Sequence, residues 1–191
     1  MVKLSREGLR FLYRKSKTMH DTPIQRFLLE RHPGYADLSA DERSAINDFS
    51  LLWPLFEGSI LGPKYRSVDL LQIPDTLNEL GALKADTLAV EIAYFRARYY
   101  REGQFTPEFS RLHVERTNAA SRASIRTFLT SGPEYPVVDA VKGILLIVLR
   151  LRNNLFHGVK ALYGMQGQLS NFQHANAVLV CILRLHPPKY F

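Results

Sequence analysis

The stretch LRLRNNLFHGVK, residues 149–160, decides how this chain is read. It continues VVDAVKGILLIV, residues 137–148, where Val141, Leu145 and Val148 recur at intervals of four and three. That period places the three side chains on one face of a helix. One further step of four falls on Arg152, so an arginine stands where the pattern calls for a buried residue. A buried guanidinium is costly unless it is paired or faces a partner or a ligand. Asn153 and His157, four apart, share a helical face. Arg152 and His157, five apart, lie about 140° from each other around an ideal helix. Gly158 stops the helix and leaves His157 in its last turn, with Lys160 close behind.

These residue types suit the cleavage of a phosphodiester. Histidine titrates near neutrality and serves as base or acid. Arginine binds phosphate through paired hydrogen bonds and stabilises the charge that grows in the transition state. RNA carries its own nucleophile, the 2′-hydroxyl, so the chemistry needs no metal. On spacing alone, the plainer alternative is a capping histidine with an arginine in a structural salt bridge.

Outward from this segment the chain is punctuated as a helical protein. Thr22-Pro23-Ile24-Gln25 combines a hydroxyl N-cap, a proline at the first helical position and a glutamine three residues after the cap. Ser39-Ala40-Asp41-Glu42 and Ser170-Asn171-Phe172-Gln173 read as capping boxes, and Thr106-Pro107 as a cap followed by proline. Gly34, Gly103, Gly132 and Gly158 fall where helices should stop. Two more stripes are Ile46, Phe49, Trp53, Phe56, Ile60 and Leu88, Ile92, Phe95. The spacing predicts helices near 5–17, 23–31, 40–61, 75–80, 84–102, 107–130, 137–157 and 171–185. It offers no alternating strand pattern, no repeat and no long linker, and leaves residues 58–74 as loop. The expected fold is all-α, an up-and-down helical bundle over residues 36–191 with an N-terminal helical extension over 1–35.

The 191 residues suffice for one compact domain with a core of its own. The formal charge is +7, from 25 Lys+Arg against 18 Asp+Glu, which suits a polyanionic partner without proving one. A single cysteine, Cys181, cannot form an internal disulfide and reads as a small core residue. Charges interrupt the N-terminal segment too often for a secretory signal. The longest apolar run, GILLIVL, is far short of the roughly 20 residues that span a bilayer. A cytoplasmic protein with no membrane partner is expected.

The string RNNLFHG, residues 152–158, resembles the R-x-x-x-x-H signature of HEPN domains, in which Asn commonly follows the Arg. The resemblance maps the family's arginine to Arg152, its polar second residue to Asn153 and its histidine to His157. A second likeness lies in FSLLWPLFEGSI, residues 49–60. Many HEPN proteins carry a similar aromatic-rich helix with an acid, here Glu57, that leans toward the motif. The direct match covers about a dozen residues, and nothing familiar covers 1–35.

The resemblance implies a bundle that dimerises through the helix carrying Arg152, so that two motifs meet in one cleft. Active members are endoribonucleases that need no metal or other cofactor. They serve as toxins, anti-phage effectors, RNA-processing enzymes and parts of RNA-guided nucleases, and other members are inactive binding modules. The expected catalytic set is therefore Arg152, His157 and Asn153, with Glu57 and Lys160 in support. Expected partners are RNA, a second copy of the chain, and an antitoxin or nucleotidyltransferase. In one toxin branch a tyrosine stands two residues after the histidine and is modified by a nucleotidyltransferase. Val159 holds that position here, a departure from that branch.

Other candidates carry less. His20, His32, His113, His174 and His186 show no metal-ligand spacing with nearby cysteines or acids. His20 and His32 sit at expected helix boundaries. No glycine-rich phosphate loop is present. The segment FRARYYR places Arg96, Arg98 and Arg101 among aromatics including Tyr99, a composition that binds RNA by charge and stacking. Its alternative is an ordinary amphipathic helix with a solvated cationic face. Arg111, Arg116, Arg122 and Arg126 are open to the same two readings. The rival to a catalytic HEPN domain is a non-catalytic one that binds RNA, a nucleotide or a protein. A third reading is a structural dimerisation protein, which leaves Arg152 unexplained.

Overall fold

The structure is a computed structural model that describes residues 22–62, 65, 67–156 and 166–187. The helix expected near 5–17, together with His20, lies outside the described residues.

Among the described residues the chain folds essentially as all-α. Its helices are α1 (Pro23–Arg31), α2 (Pro33–Ala36), α3 (Ala40–Phe56), α4 (Ser67–Glu79), α5 (Ala89–Tyr99), α6 (Pro107–Arg111), α7 (Ala119–Thr130), α8 (Val137–Phe156) and α9 (Leu169–Leu185). A π-helical turn, Glu57–Leu61, prolongs α3, and a 3-10 turn, Val114–Arg116, precedes α7.

Two of the expected capping boxes form. Gln25 N–H donates to Thr22 Oγ1 at 3.2 Å, and Thr22 N–H to Gln25 Oε1 at 2.8 Å. Glu42 N–H donates to Ser39 Oγ at 3.1 Å, and Ser39 N–H to Glu42 Oε2 at 2.9 Å. Such caps satisfy backbone donors that the first helical turn leaves unpaired. The third box does not form. Helix α9 begins at Leu169 with Gln168 as its cap residue, so Ser170 already lies inside it. Thr106 precedes α6 but sends its hydroxyl to the Arg98 carbonyl at 2.7 Å instead of capping.

Several expected boundaries are corrected. The region 58–74, expected as loop, is largely helical: the π turn fills its start, and α4 runs from Ser67 through an internal proline, Pro74. The helix expected over 84–102 stops at Tyr99 and passes into a small antiparallel hairpin, Tyr100–Arg101 with Gln104–Phe105. The turn residues Glu102 and Gly103 both have positive φ, 53° and 78°. That is the mirror-image turn whose twist matches paired strands. The helix expected over 107–130 is broken, because His113 adopts a left-handed conformation at φ 52°. Asn118 then caps α7, accepting from Ser121 N–H at 2.8 Å.

Helix α8 is the centre of the core. From Ala140 to Leu151 only Lys142 and Leu149 escape full burial. It packs against α4, α5, α7 and α9, while α9 lies along α3. Val141, Leu145 and Val148 are completely buried, as their period requires. At Gly143 the approach to α7 is closest: a Cβ there would stand 2.5 Å from Phe128 Cβ. Phe49, Trp53, Phe56 and Ile60 form the buried face of α3 and the π turn, with Ile46 packed at its edge.

Cys181 packs partly exposed against the core, and burial raises its thiol pKa. Among the described residues no helix is long and apolar enough to cross a membrane.

Candidate functional site

Two elements meet at the end of α8. Pro54 stands inside α3 and can donate no backbone hydrogen bond, and the helix widens just beyond it. Gly62 N–H donates to the Glu57 carbonyl at 2.8 Å, the five-residue reach of a π turn. This turn brings Glu57 beside the last turns of α8. Glu57 Oε1 lies 3.6 Å from Arg152 Nη2, and both side chains are about one-quarter exposed, at 24% and 25%.

Arg152 has further neighbours. Its Nη1 donates to Asn153 Oδ1 at 3.1 Å. Its Cζ lies over the Trp53 ring at 5.8 Å and over the Phe156 ring at 5.7 Å. Trp53 is fully buried, whereas Phe156 is half exposed. Tyr65 hydrogen-bonds the Glu57 carboxylate, and burial and that bond hold its hydroxyl well above the ordinary phenol range. It therefore stays a neutral donor at physiological pH. A guanidinium held by a carboxylate, an amide and two rings is fixed in orientation yet still reaches solvent, a geometry suited to meeting an incoming oxyanion.

The structure thus brings Arg152, Asn153 and Glu57 together. His157 and Lys160 lie outside the described residues, His157 directly after Phe156, the last residue of α8. Sequence reasoning missed Tyr65, which has no periodic or motif signal, and the roles of Trp53 and Phe156. The Trp53-Pro54 pair beside Glu57 was the available hint.

The neighbouring Arg150 is a different kind of residue. It is 6% exposed, and its Nε donates to the Leu112 carbonyl at 3.0 Å. Its Nη2 donates to Asn154 Oδ1 at 3.3 Å, and Asn154 Nδ2 donates to the Arg111 carbonyl at 3.0 Å. This pair ties the broken segment after α6 to α8, and burial lowers the Arg150 pKa.

The FRARYYR segment mostly faces inward. Arg96 Nε donates to the Phe128 carbonyl at 3.1 Å, and its Cζ lies over the Phe128 and Tyr135 rings. Arg98 Nη2 donates to Gln168 Oε1 at 3.2 Å. Tyr99 is buried, its hydroxyl donating to Asn171 Oδ1 at 3.0 Å, and burial pushes its pKa up to about 12. No base can stack on that ring. Arg101, on the hairpin, is exposed.

His32, read as a boundary residue, follows the last residue of α1, and His186 follows that of α9. His174 stacks on Tyr94 at 3.9 Å, with Nδ1 3.4 Å from Glu91 Oε1. Among the described residues no three of His, Cys, Asp and Glu gather to hold a metal ion. Compared with models of protein families, with curated proteins and with solved structures, the chain matches none.

Proposed function

We propose that the chain is a cytoplasmic, metal-independent endoribonuclease of the HEPN type, working as a homodimer in the manner of a toxin or anti-phage effector. The observation that carries the reading is the Arg152 site. A guanidinium oriented by Glu57 opens to solvent at the end of a buried helix, five residues before His157 in sequence.

Arg152 would hold the scissile phosphate and stabilise its transition-state charge. Asn153, already bonded to Arg152, would orient the two groups together. His157 would move a proton at the 2′-hydroxyl or the leaving oxygen. Glu57 and Tyr65 would keep the guanidinium aimed, and Lys160 would add local positive charge.

Most of α8 is covered by its own chain, so its apolar length needs no second subunit. The dimer contact in this reading is confined to the open end of α8, around Asn153, and leaves the Phe156 ring facing the cleft. Two copies of Arg152 facing one another would repel unless a carboxylate or phosphate lay between them. Glu57 supplies the former and RNA the latter.

Purified protein is expected to cut single-stranded RNA in EDTA and leave 2′,3′-cyclic phosphate and 5′-hydroxyl ends. Light scattering at micromolar concentration should give about twice the chain mass of 21.9 kDa. Cleavage abolished by EDTA and restored by magnesium would contradict the chemistry, and a strict monomer would contradict the composite site.

One observation favours the rival, a module that binds RNA without cutting it: Arg152 already has a carboxylate at 3.6 Å, as a structural arginine would. Binding without cleavage would establish that reading.

A further inference from the structure

Phe156 breaks the pattern of its helix. Every other apolar side chain of α8 is buried or partly buried against the core, while Phe156 exposes 49% of its surface. An isolated exposed phenyl ring is ordinary on a protein surface. This one lies 5.7 Å from the Arg152 guanidinium, which also lies over the buried Trp53 ring. A cation that meets an anion thus stands against an aromatic ring with area left to offer. The ligand class combining a phosphate with a flat π-face is a nucleotide, and the net charge of +7 favours a polyanion.

We propose that Phe156 is a base-stacking platform: the ring receives the base next to the phosphate held by Arg152. The inference rests on the proposed RNA-binding reading and deepens it. Stacking needs an unpaired base, so the site takes single-stranded RNA and excludes duplex. Every base has a π-face, so the platform tolerates sequence and selects strandedness.

The test uses the full chain and a single-stranded RNA dodecamer of mixed sequence. The probe carries internal 2-aminopurine and has every 2′-hydroxyl methylated, so that it cannot be cut. The parent protein should quench the 2-aminopurine on binding, and the same sequence held in a duplex should bind far less. Phe156→Ala should weaken binding by about tenfold and lose the quench. Phe156→Trp should keep both. Phe156→Leu, apolar but without a π-face, should behave like Phe156→Ala.

Parent-like binding and quenching by Phe156→Ala, or restoration by leucine, would overturn the platform. So would a Phe156→Ala chain that turns from dimer to monomer, since Phe156 would then be a subunit contact. Quenching without cleavage of unmodified RNA would remove the enzyme and leave the platform standing. Cleavage at an unchanged KM by Phe156→Ala would do the reverse. A parent that neither binds nor cuts RNA would remove both.

Discussion

The Glu57 carboxylate stands 3.6 Å from the Arg152 guanidinium, joining the π turn after α3 to the last turns of α8. The pair is three-quarters buried on each side, and Tyr65 hydrogen-bonds the same carboxylate. In the proposed reading, a carboxylate so close to the arginine that would hold the phosphate opposes the incoming anion, so its benefit would lie in aiming the guanidinium.

Replacing Glu57 by glutamine separates these two effects. Glu57→Gln is expected to bind RNA as tightly as the parent or more so, because a negative charge is gone, while kcat falls about tenfold as Arg152 loses its orientation. Folding stability should change by less than about 1 kcal/mol, as for a partly exposed ion pair. Measured KM and kcat decide the matter. Unchanged kcat would make the pair merely structural.

Arg150 and Arg152, two residues apart, should respond oppositely to truncation. Arg150→Ala strips donors from the Leu112 carbonyl and Asn154, leaves a cavity, and should cost roughly 2–4 kcal/mol of stability. Arg152→Ala faces solvent more and should cost about 1 kcal/mol or less while removing activity. Urea denaturation of both variants checks the contrast. Equal losses would mean that Arg152 is as structural as its neighbour.

The same contrast marks what could be read from the sequence. The stripe Val141, Leu145, Val148 located the buried face of α8, and extending it pointed to Arg152. It passed over Arg150, because helical period alone cannot tell that a carbonyl from a distant loop will satisfy a buried guanidinium. The caps at Thr22 and Ser39 were legible because the residues that form them are local. The break at His113 and the hairpin turn at Glu102-Gly103 were not, since non-glycine residues there adopt positive φ under tertiary constraint. The first part of helix α4, up to Pro74, was hidden, because proline reads as a breaker but is carried inside the helix; only the stretch from residue 75 was expected as helix. The Glu57–Arg152 contact was anticipated only through the family resemblance, and Tyr65 had no local signal at all.

Glu42 gives a pH dependence of known sign. Its carboxylate accepts from the Ser39 backbone N–H, the main cause, and from Gly167 N–H at 2.7 Å, and its pKa is lowered from 4.5. A depressed folded pKa contributes stability that is present above the unfolded value and lost as pH falls through the folded one. Thermal unfolding from pH 7 down to 3 should therefore show Tm falling on the acid side of about 4.5. The acid limb should be shallower in Glu42→Gln, whose stability at pH 7 is already reduced. Parallel curves for the two proteins would contradict the assignment.

The most direct measurement of the proposed activity is cleavage of single-stranded RNA, in EDTA, by the parent chain, Arg152→Ala and His157→Ala, each shown by circular dichroism to be folded. The expected result is cutting by the parent and a loss of at least about a hundredfold in either variant, since one removes the proposed transition-state cation and the other the proposed proton carrier. Both variants cutting as fast as the parent would contradict it.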